Sequence, residues 1–257
     1  MASASSLARA LEPFIPGDLP PSAWIVDLGG YGVLEPVYEG SKHDTLAFKP
    51  QIEFRQAGDR EWLSFPNDAF DLNFYQTANF HAGASANLTL QSRFHGEDID
   101  LRLGKADVDL AGGAFAEFYP VNFIRTRVEM LQGVTGNSGF AANLSADYIW
   151  RVAPDLTLTA GPRATIADDR YASDYFSTQN AQRTGIYTPF KAEGGILSSG
   201  AELTSKYALT DRLAAKLYID YEQLMGDAAD NPRVTQRGTA EQFIAGIGAS
   251  YRFAVEP

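Results

Sequence analysis

Between Ala23 and Phe253, apolar and polar side chains alternate with a period of two in segment after segment. Leu213, Ala215, Leu217, Ile219 and Tyr221 share one face, with Lys216, Tyr218, Asp220 and Glu222 on the other. After the loop opening with Met225-Gly226-Asp227, Phe243, Ala245, Ile247, Ala249, Tyr251 and Phe253 oppose Gln242, Gly246, Gly248, Ser250 and Arg252. Successive side chains of a strand point to opposite faces, so this period predicts strands. Upstream, the same pattern predicts strands over 23–35, 48–55, 81–93, 107–118, 124–130, 140–151, 156–166 and 197–207. In the last of these, Leu197, Ala201, Leu203 and Tyr207 are placed on the apolar face. The region 61–76 is less regular and reads as two short strands broken near Pro66-Asn67-Asp68.

The connections alternate in length. Tight turns fall near Gly58, Ala78, Pro120, Pro154 and Asp211, and longer ones near Ser41, Phe94, Gly133, Asp168 and Gly226. Short turns on one rim and long loops on the other are the plan of a transmembrane antiparallel up-and-down β-barrel, short turns periplasmic and long loops extracellular. The expected all-β fold has about twelve strands, with about ten as the alternative. The sign of the alternation decides between a soluble barrel and a membrane barrel. The apolar faces carry almost no charge and are thin in bulk, as in Ala82-Ala84-Ala86 and Gly112-Ala114-Ala116. A dry core needs volume to reach close packing, whereas lipid chains fill space around alanine and glycine. Aromatics gather near strand ends, at Phe118, Tyr148, Trp150, Tyr207, Tyr221, Tyr251 and Phe253, as an interfacial girdle requires. The apolar faces are therefore expected to meet lipid.

Composition narrows the field further. The 257 residues hold no cysteine, which removes disulfides and thiolate metal sites. A net charge of −11 argues against a nucleic-acid partner. No apolar run approaches the roughly 20 residues of a membrane helix, which leaves the barrel untouched. The opening Met-Ala-Ser-Ala-Ser-Ser lacks the basic start and apolar core of a secretory signal, which suits a cytosolic protein or a mature exported chain given a new start, the second being the preferred expectation. Residues 1–22, with Pro13, Pro16, Pro20 and Pro21, read as an irregular periplasmic arm, either a docking segment or a leader. The barrel is expected over 23–253, with 254–257 an added tail.

Candidate chemistry is sparse. The three histidines are His43, His81 and His95, and no nucleophile elbow, metalloprotease helix or phosphate loop is present. Neither a catalytic residue nor a cofactor is expected, the remaining enzymatic reading being a rim cluster of His43 or His95 with loop acids. Asp168, Asp169, Asp227 and Asp230 are either cation ligands bridging lipopolysaccharide phosphates or turn-capping side chains. On the polar faces, Glu53, Arg55, Arg125, Arg127, Glu129, Asp147, Arg151, Arg163, Glu202, Lys206, Lys216, Asp220, Glu222 and Arg252 should point into the lumen. They serve either as charge rings of a selective pore or as a salt-bridge network closing the bore. The near balance of signs favours a filled or narrow lumen.

Several stretches carry a resemblance. Ala167-Asp168-Asp169-Arg170-Tyr171, Asp174-Tyr175-Phe176, and Leu224-Met225-Gly226-Asp227-Ala228-Ala229-Asp230-Asn231-Pro232 followed by Gln242-Phe243 resemble the MipA/OmpV family. Phe118-Tyr119-Pro120 running into Arg125-Thr126-Arg127, and Trp150-Arg151, fit as well. The resemblance implies an outer-membrane barrel of a Gram-negative bacterium in contact with lipid and lipopolysaccharide. It also implies a non-catalytic scaffold that links a lytic murein transglycosylase to a peptidoglycan synthase in the cell envelope. Other members are tied to osmotic or antibiotic responses, which matches the pore alternative. Gly248, Tyr251 and Phe253 resemble the terminal assembly signal of such barrels.

Overall fold

The computed structural model describes residues 23–56, 70–92, 106–135, 139–178 and 187–255. They form eleven strands in one antiparallel sheet: β1 (Trp24–Pro36), β2 (Asp44–Gln56), β3 (Phe70–Gln76), β4 (Phe80–Ser92), β5 (Ala106–Val121), β6 (Ile124–Thr135), β7 (Phe140–Ala153), β8 (Leu156–Ala167), β9 (Gly195–Ala208), β10 (Leu213–Leu224) and β11 (Glu241–Val255). Apart from β2 and β3, each strand pairs with its neighbour in sequence, and β11 returns to pair with β1, leaving β2 and β3 at the two ends of the order. The expected arm over 1–22, the first of the two short strands in 61–76 and the Pro66 break lie outside the described residues. Alternating directions make β2 and β3 run the same way, the relation an intervening antiparallel strand would give.

The sheet is an inside-out barrel. Leu28, Phe48, Leu217, Phe243 and Ile247 are exposed, Ile247 at 74%, while Asp27, Glu117, Arg125, Asp147 and Asp220 are buried. A sheet facing water would invert this assignment, so the sign expected from the thin apolar faces holds. The enclosure also shows in a contact across the bore: Lys216 Nζ on β10 donates to Gln51 Oε1 on β2, past the intervening β11 and β1.

Three details differ from the sequence reading. β11 runs to Val255, pairing Ala254 with Ile25 and Val255 with Trp24, so the strand passes the boundary expected at Phe253. Leu197, expected on the lipid face, is buried at 3% exposure, because the register shifts between Thr165 and Ile166 of the adjoining β8. The long loops are not wholly irregular. The β8–β9 loop contains α1 (Asp169–Phe176), and the β10–β11 loop contains α2 (Gly226–Asp230) and α3 (Pro232–Arg237).

The end of the chain is locked by a glycine. Gly248 faces Tyr31 in the β1–β11 register. A Cβ built at Gly248 would sit 2.8 Å from Tyr31 Cδ1, so the missing side chain makes room for the ring. Tyr251 and Phe253 lie on the lipid face with ring centroids 4.8 Å apart.

Candidate functional site

Period-two parity delivers polar side chains from each strand to the lumen, and neighbouring strands bring them to the same height. Arg125 and Asp147 are register partners on β6 and β7, and Glu117 faces Arg127 between β5 and β6. A continuous chain of ion pairs results. Asp71 on β3 meets Arg127 at 2.7 Å, Arg127 meets Glu117 at 3.1 Å, and Glu117 meets Arg125 at 2.5 Å. Arg125 continues to Asp147 at 3.0 Å, Asp147 to Arg163 on β8 at 2.8 Å, and Arg163 to Glu202 on β9 at 3.1 Å. Glu129 joins through Arg127 at 2.6 Å, and Ser85 bridges Glu129 and Asp71 by hydrogen bonds of 2.7 and 2.8 Å. Charges taken out of water are tolerable only when paired and hydrogen-bonded, a condition this belt meets residue by residue.

The opposite wall is less charged. Arg252 on β11 holds Asp27 on β1 through two bonds, Nε to Oδ1 at 2.7 Å and Nη2 to Oδ2 at 2.5 Å. Above that pair, Tyr31 and Tyr218 meet edge to face at 6.4 Å between centroids, with Lys216 Nζ 5.9 Å over the Tyr31 ring. Tyr218 Oη donates to Asp220 Oδ2 at 3.3 Å.

The expected lumen residues divide as follows. Arg125, Arg127, Glu129, Asp147, Arg163 and Glu202 come together in the belt, and Lys216, Asp220 and Arg252 line the other wall. Lys206 and Glu222 are half-buried, Arg151 is exposed beside the periplasmic turn, and the side chains of Glu53 and Arg55 lie outside the described part. Asp27, Asp71 and Glu117 were missing from the expected set. Parity alone places Asp27 and Glu117 inward, whereas Asp71 sits in the one stretch where the alternation is weak.

The extracellular end is capped. Phe176 and Ala172 of α1, Ala228 of α2 and Val234 of α3 pack with Ala141, Ala167, Leu197 and Leu224 at the upper ends of β7–β10. Four acids frame this cap without converging. Asp168 accepts from the backbone N–H of Tyr171 (2.8 Å) and of Phe140 (3.0 Å), Asp169 from Gly194 (2.8 Å) and Asp227 from Glu193 (2.7 Å). Asp230 is exposed. Asp168 caps α1 while Asp169 and Asp227 hold the backbone at 193–194, and among the described residues no group of three or more potential ligands is placed to hold a metal. Between α1 and the β4–β7 wall lies a cavity of about 90 Å³, lined by Asn87, Leu131, Asn143, Tyr171 and Tyr175 among others. His43 sits in the β1–β2 turn with its backbone N–H on Ser41 Oγ, and His81 is buried beside Tyr119 at 5.5 Å.

A family model described as MltA-interacting protein MipA matches residues 28–253. No curated protein sequence matches the chain significantly. Among solved structures, the NanC porin is 9% identical, with 88% of this chain and 98% of that chain covered and a TM-score of 0.44. An outer-membrane channel from Pseudomonas putida F1 is 14% identical, covering 93% and 99% at a TM-score of 0.43. OprG from Pseudomonas aeruginosa is 10% identical, covering 91% and 97% at 0.31.

Proposed function

The chain belongs to the MipA family of outer-membrane proteins, and on that premise we propose that it is a closed, non-catalytic scaffold of the cell envelope. The barrel sits in the outer membrane with its apolar surface in lipid. Its periplasmic rim then serves as a platform for murein enzymes, a lytic transglycosylase first, as the family's description suggests.

One observation carries the closed reading. The ion-pair chain from Asp71 to Glu202 ties β3, β5, β6, β7, β8 and β9 together inside the bore. A conducting lumen keeps its charges hydrated and separately available to solutes. Here Arg125, Glu117 and Asp147 are at most 3% exposed and spend their hydrogen bonds on each other. α1–α3 add a lid over β7–β10. A platform of this kind gains from such cross-links, because they fix the wall that presents the rim.

A second reading, a narrow pore passing cations, has its own support. The belt holds the acids Asp71, Glu117, Glu129, Asp147 and Glu202 against Arg125, Arg127 and Arg163, an excess of two negative charges. Planar-bilayer recording of the purified barrel separates the two. The scaffold reading expects no large steady conductance, together with co-purification of a murein transglycosylase from native envelopes. A steady cation-selective current with no murein enzyme recovered would replace it with the pore.

A further inference from the structure

The extracellular mouth carries a polar cluster distinct from the lumen belt. It assembles where the β1–β2 turn, Tyr187 and α3 meet. The turn is pinned: Gly40 N donates to Gln242 Oε1 at 3.0 Å, and Thr239 N donates to Gly40 O at 3.0 Å. Gly40 adopts φ +91°, a conformation that suits glycine. α3 is fixed by Asn231, whose side chain accepts from Arg233 N at 2.8 Å and Val234 N at 3.3 Å. Arg233 and Arg237 then fall one turn apart on the same side of the helix.

Each arginine lies over a tyrosine. The Arg233 guanidinium is 6.0 Å from the Tyr38 ring centroid, and that of Arg237 is 5.6 Å from Tyr187. Arg233 also donates from Nη2 to Tyr175 O. Two buried polar atoms have no hydrogen-bond partner among the described residues: Nε of Arg233 and Oη of Tyr187. Tyr187 is only 8% exposed. A buried donor left empty forfeits its hydration without return, and a charged one forfeits more.

The electrostatics agree with a cluster awaiting an anion. Burial lowers the Arg233 pKa, against the pull of Tyr38, Tyr187 and Glu39. Burial also raises the Tyr187 phenol, so it stays an O–H donor at neutral pH. The nearby acid is Glu39. It is exposed, and partial desolvation by the surrounding protein raises its carboxyl to about 7, against the pull of Arg233. Near neutrality Glu39 is therefore partly uncharged and only partly offsets the two arginines.

We propose that Arg233, Tyr187 and Arg237 form an extracellular binding site for a phosphate group. Arg233 Nε–H and Tyr187 O–H donate to its oxygens, and Arg237 adds positive charge from the exposed rim. Guanidinium and phenol donors fit a multi-oxygen anion, and a desolvated charge-assisted bond is the strongest kind available to it. The phosphate is either the headgroup of an outer-leaflet lipid or a free phosphate. The site does not depend on the scaffold reading, since it lies on the opposite rim from any murein enzyme.

The test uses the purified full-length barrel. Inorganic phosphate is titrated by calorimetry, and retention of lipid A is compared with that of its dephosphorylated form by native mass spectrometry. The wild type binds at least one phosphate-bearing probe. Arg233→Met weakens that binding about tenfold and Tyr187→Phe about threefold, as loss of a charged and of a neutral donor predicts. Arg212→Gln, in the exposed β9–β10 turn, leaves it unchanged. Tyr187→Phe removes only a hydroxyl, so its result stands even if Arg233→Met unfolds the cap. Calorimetric binding of inorganic phosphate marks a free-anion site, and selective retention of lipid A alone marks a headgroup site. No binding of inorganic phosphate together with no retention of lipid A above that of its dephosphorylated form, or variants that bind as the wild type does, would overturn the proposal.

Discussion

The lumen and the cap obey opposite burial rules within one chain. Along the strands, Arg125, Glu117 and Asp147 are buried while Leu217, Phe243 and Ile247 face outward. In α1–α3, Phe176, Ala172, Ala228 and Val234 are buried together, as in any water-soluble protein. What changes between the two regions is the surroundings. Where the outer face meets lipid, apolar side chains gain nothing by hiding, and the polar ones must satisfy each other inside. Where the chain emerges into water, burying apolar area again drives packing.

If that contrast is right, the two regions fail differently. Arg125→Met should have the largest effect. It leaves Glu117 and Asp147 short of a partner in the bore, and removing one side of a buried pair costs about 3–5 kcal/mol. The global unfolding midpoint of the barrel in denaturant, followed by tryptophan fluorescence, should fall accordingly. An unchanged midpoint would mean that water, and not Arg125, satisfies these acids. Phe176→Ala should do less to the whole and more to the part. Truncating a buried phenylalanine costs about 3–5 kcal/mol where it packs. Here it should appear as fast proteolysis of the β8–β9 and β10–β11 loops with the barrel midpoint retained. A matching loss of barrel stability would show that cap and barrel are one cooperative unit.

The smallest expected effect concerns pH. Glu39 is exposed, but partial desolvation by the protein around it raises its folded carboxyl above the usual 4.5, to about 7. The folded state then binds more protons between those values than the unfolded state. Stability near the β1–β2 turn is therefore fully present below about 4.5 and declines as pH rises through about 7. Hydrogen exchange of the turn amides should quicken across that window in the wild type and lose the dependence in Glu39→Gln. Because Glu39 touches solvent, the change is modest.

The strand plan was open to reading in the sequence for a simple reason. A period of two is local, so Leu213–Glu222 announces both its strand and its two faces without reference to any partner. The thin alanine faces and terminal aromatics then set which face meets lipid. Inward parity likewise marked Arg125, Arg127, Glu129 and Asp147 as one population. Their pairing was not readable. Which acid meets which base depends on inter-strand register, and a shift as small as that at Thr165/Ile166 sufficed to turn Leu197 from lipid to the cap. Asp71 was overlooked because its short strand shows little alternation.

What the sequence determined by itself, then, is the period, the number of faces and their polarity, all properties of a few consecutive residues. What only the tertiary structure decided is everything set by distance across the chain. Arg127 reaches Asp71 across 56 positions, and Arg252 reaches Asp27 across 225. Arg233 comes to lie over Tyr38 only because a short helix folds back onto the first turn. Side-chain parity is fixed by the backbone pleat, but proximity is fixed by how the strands close on one another.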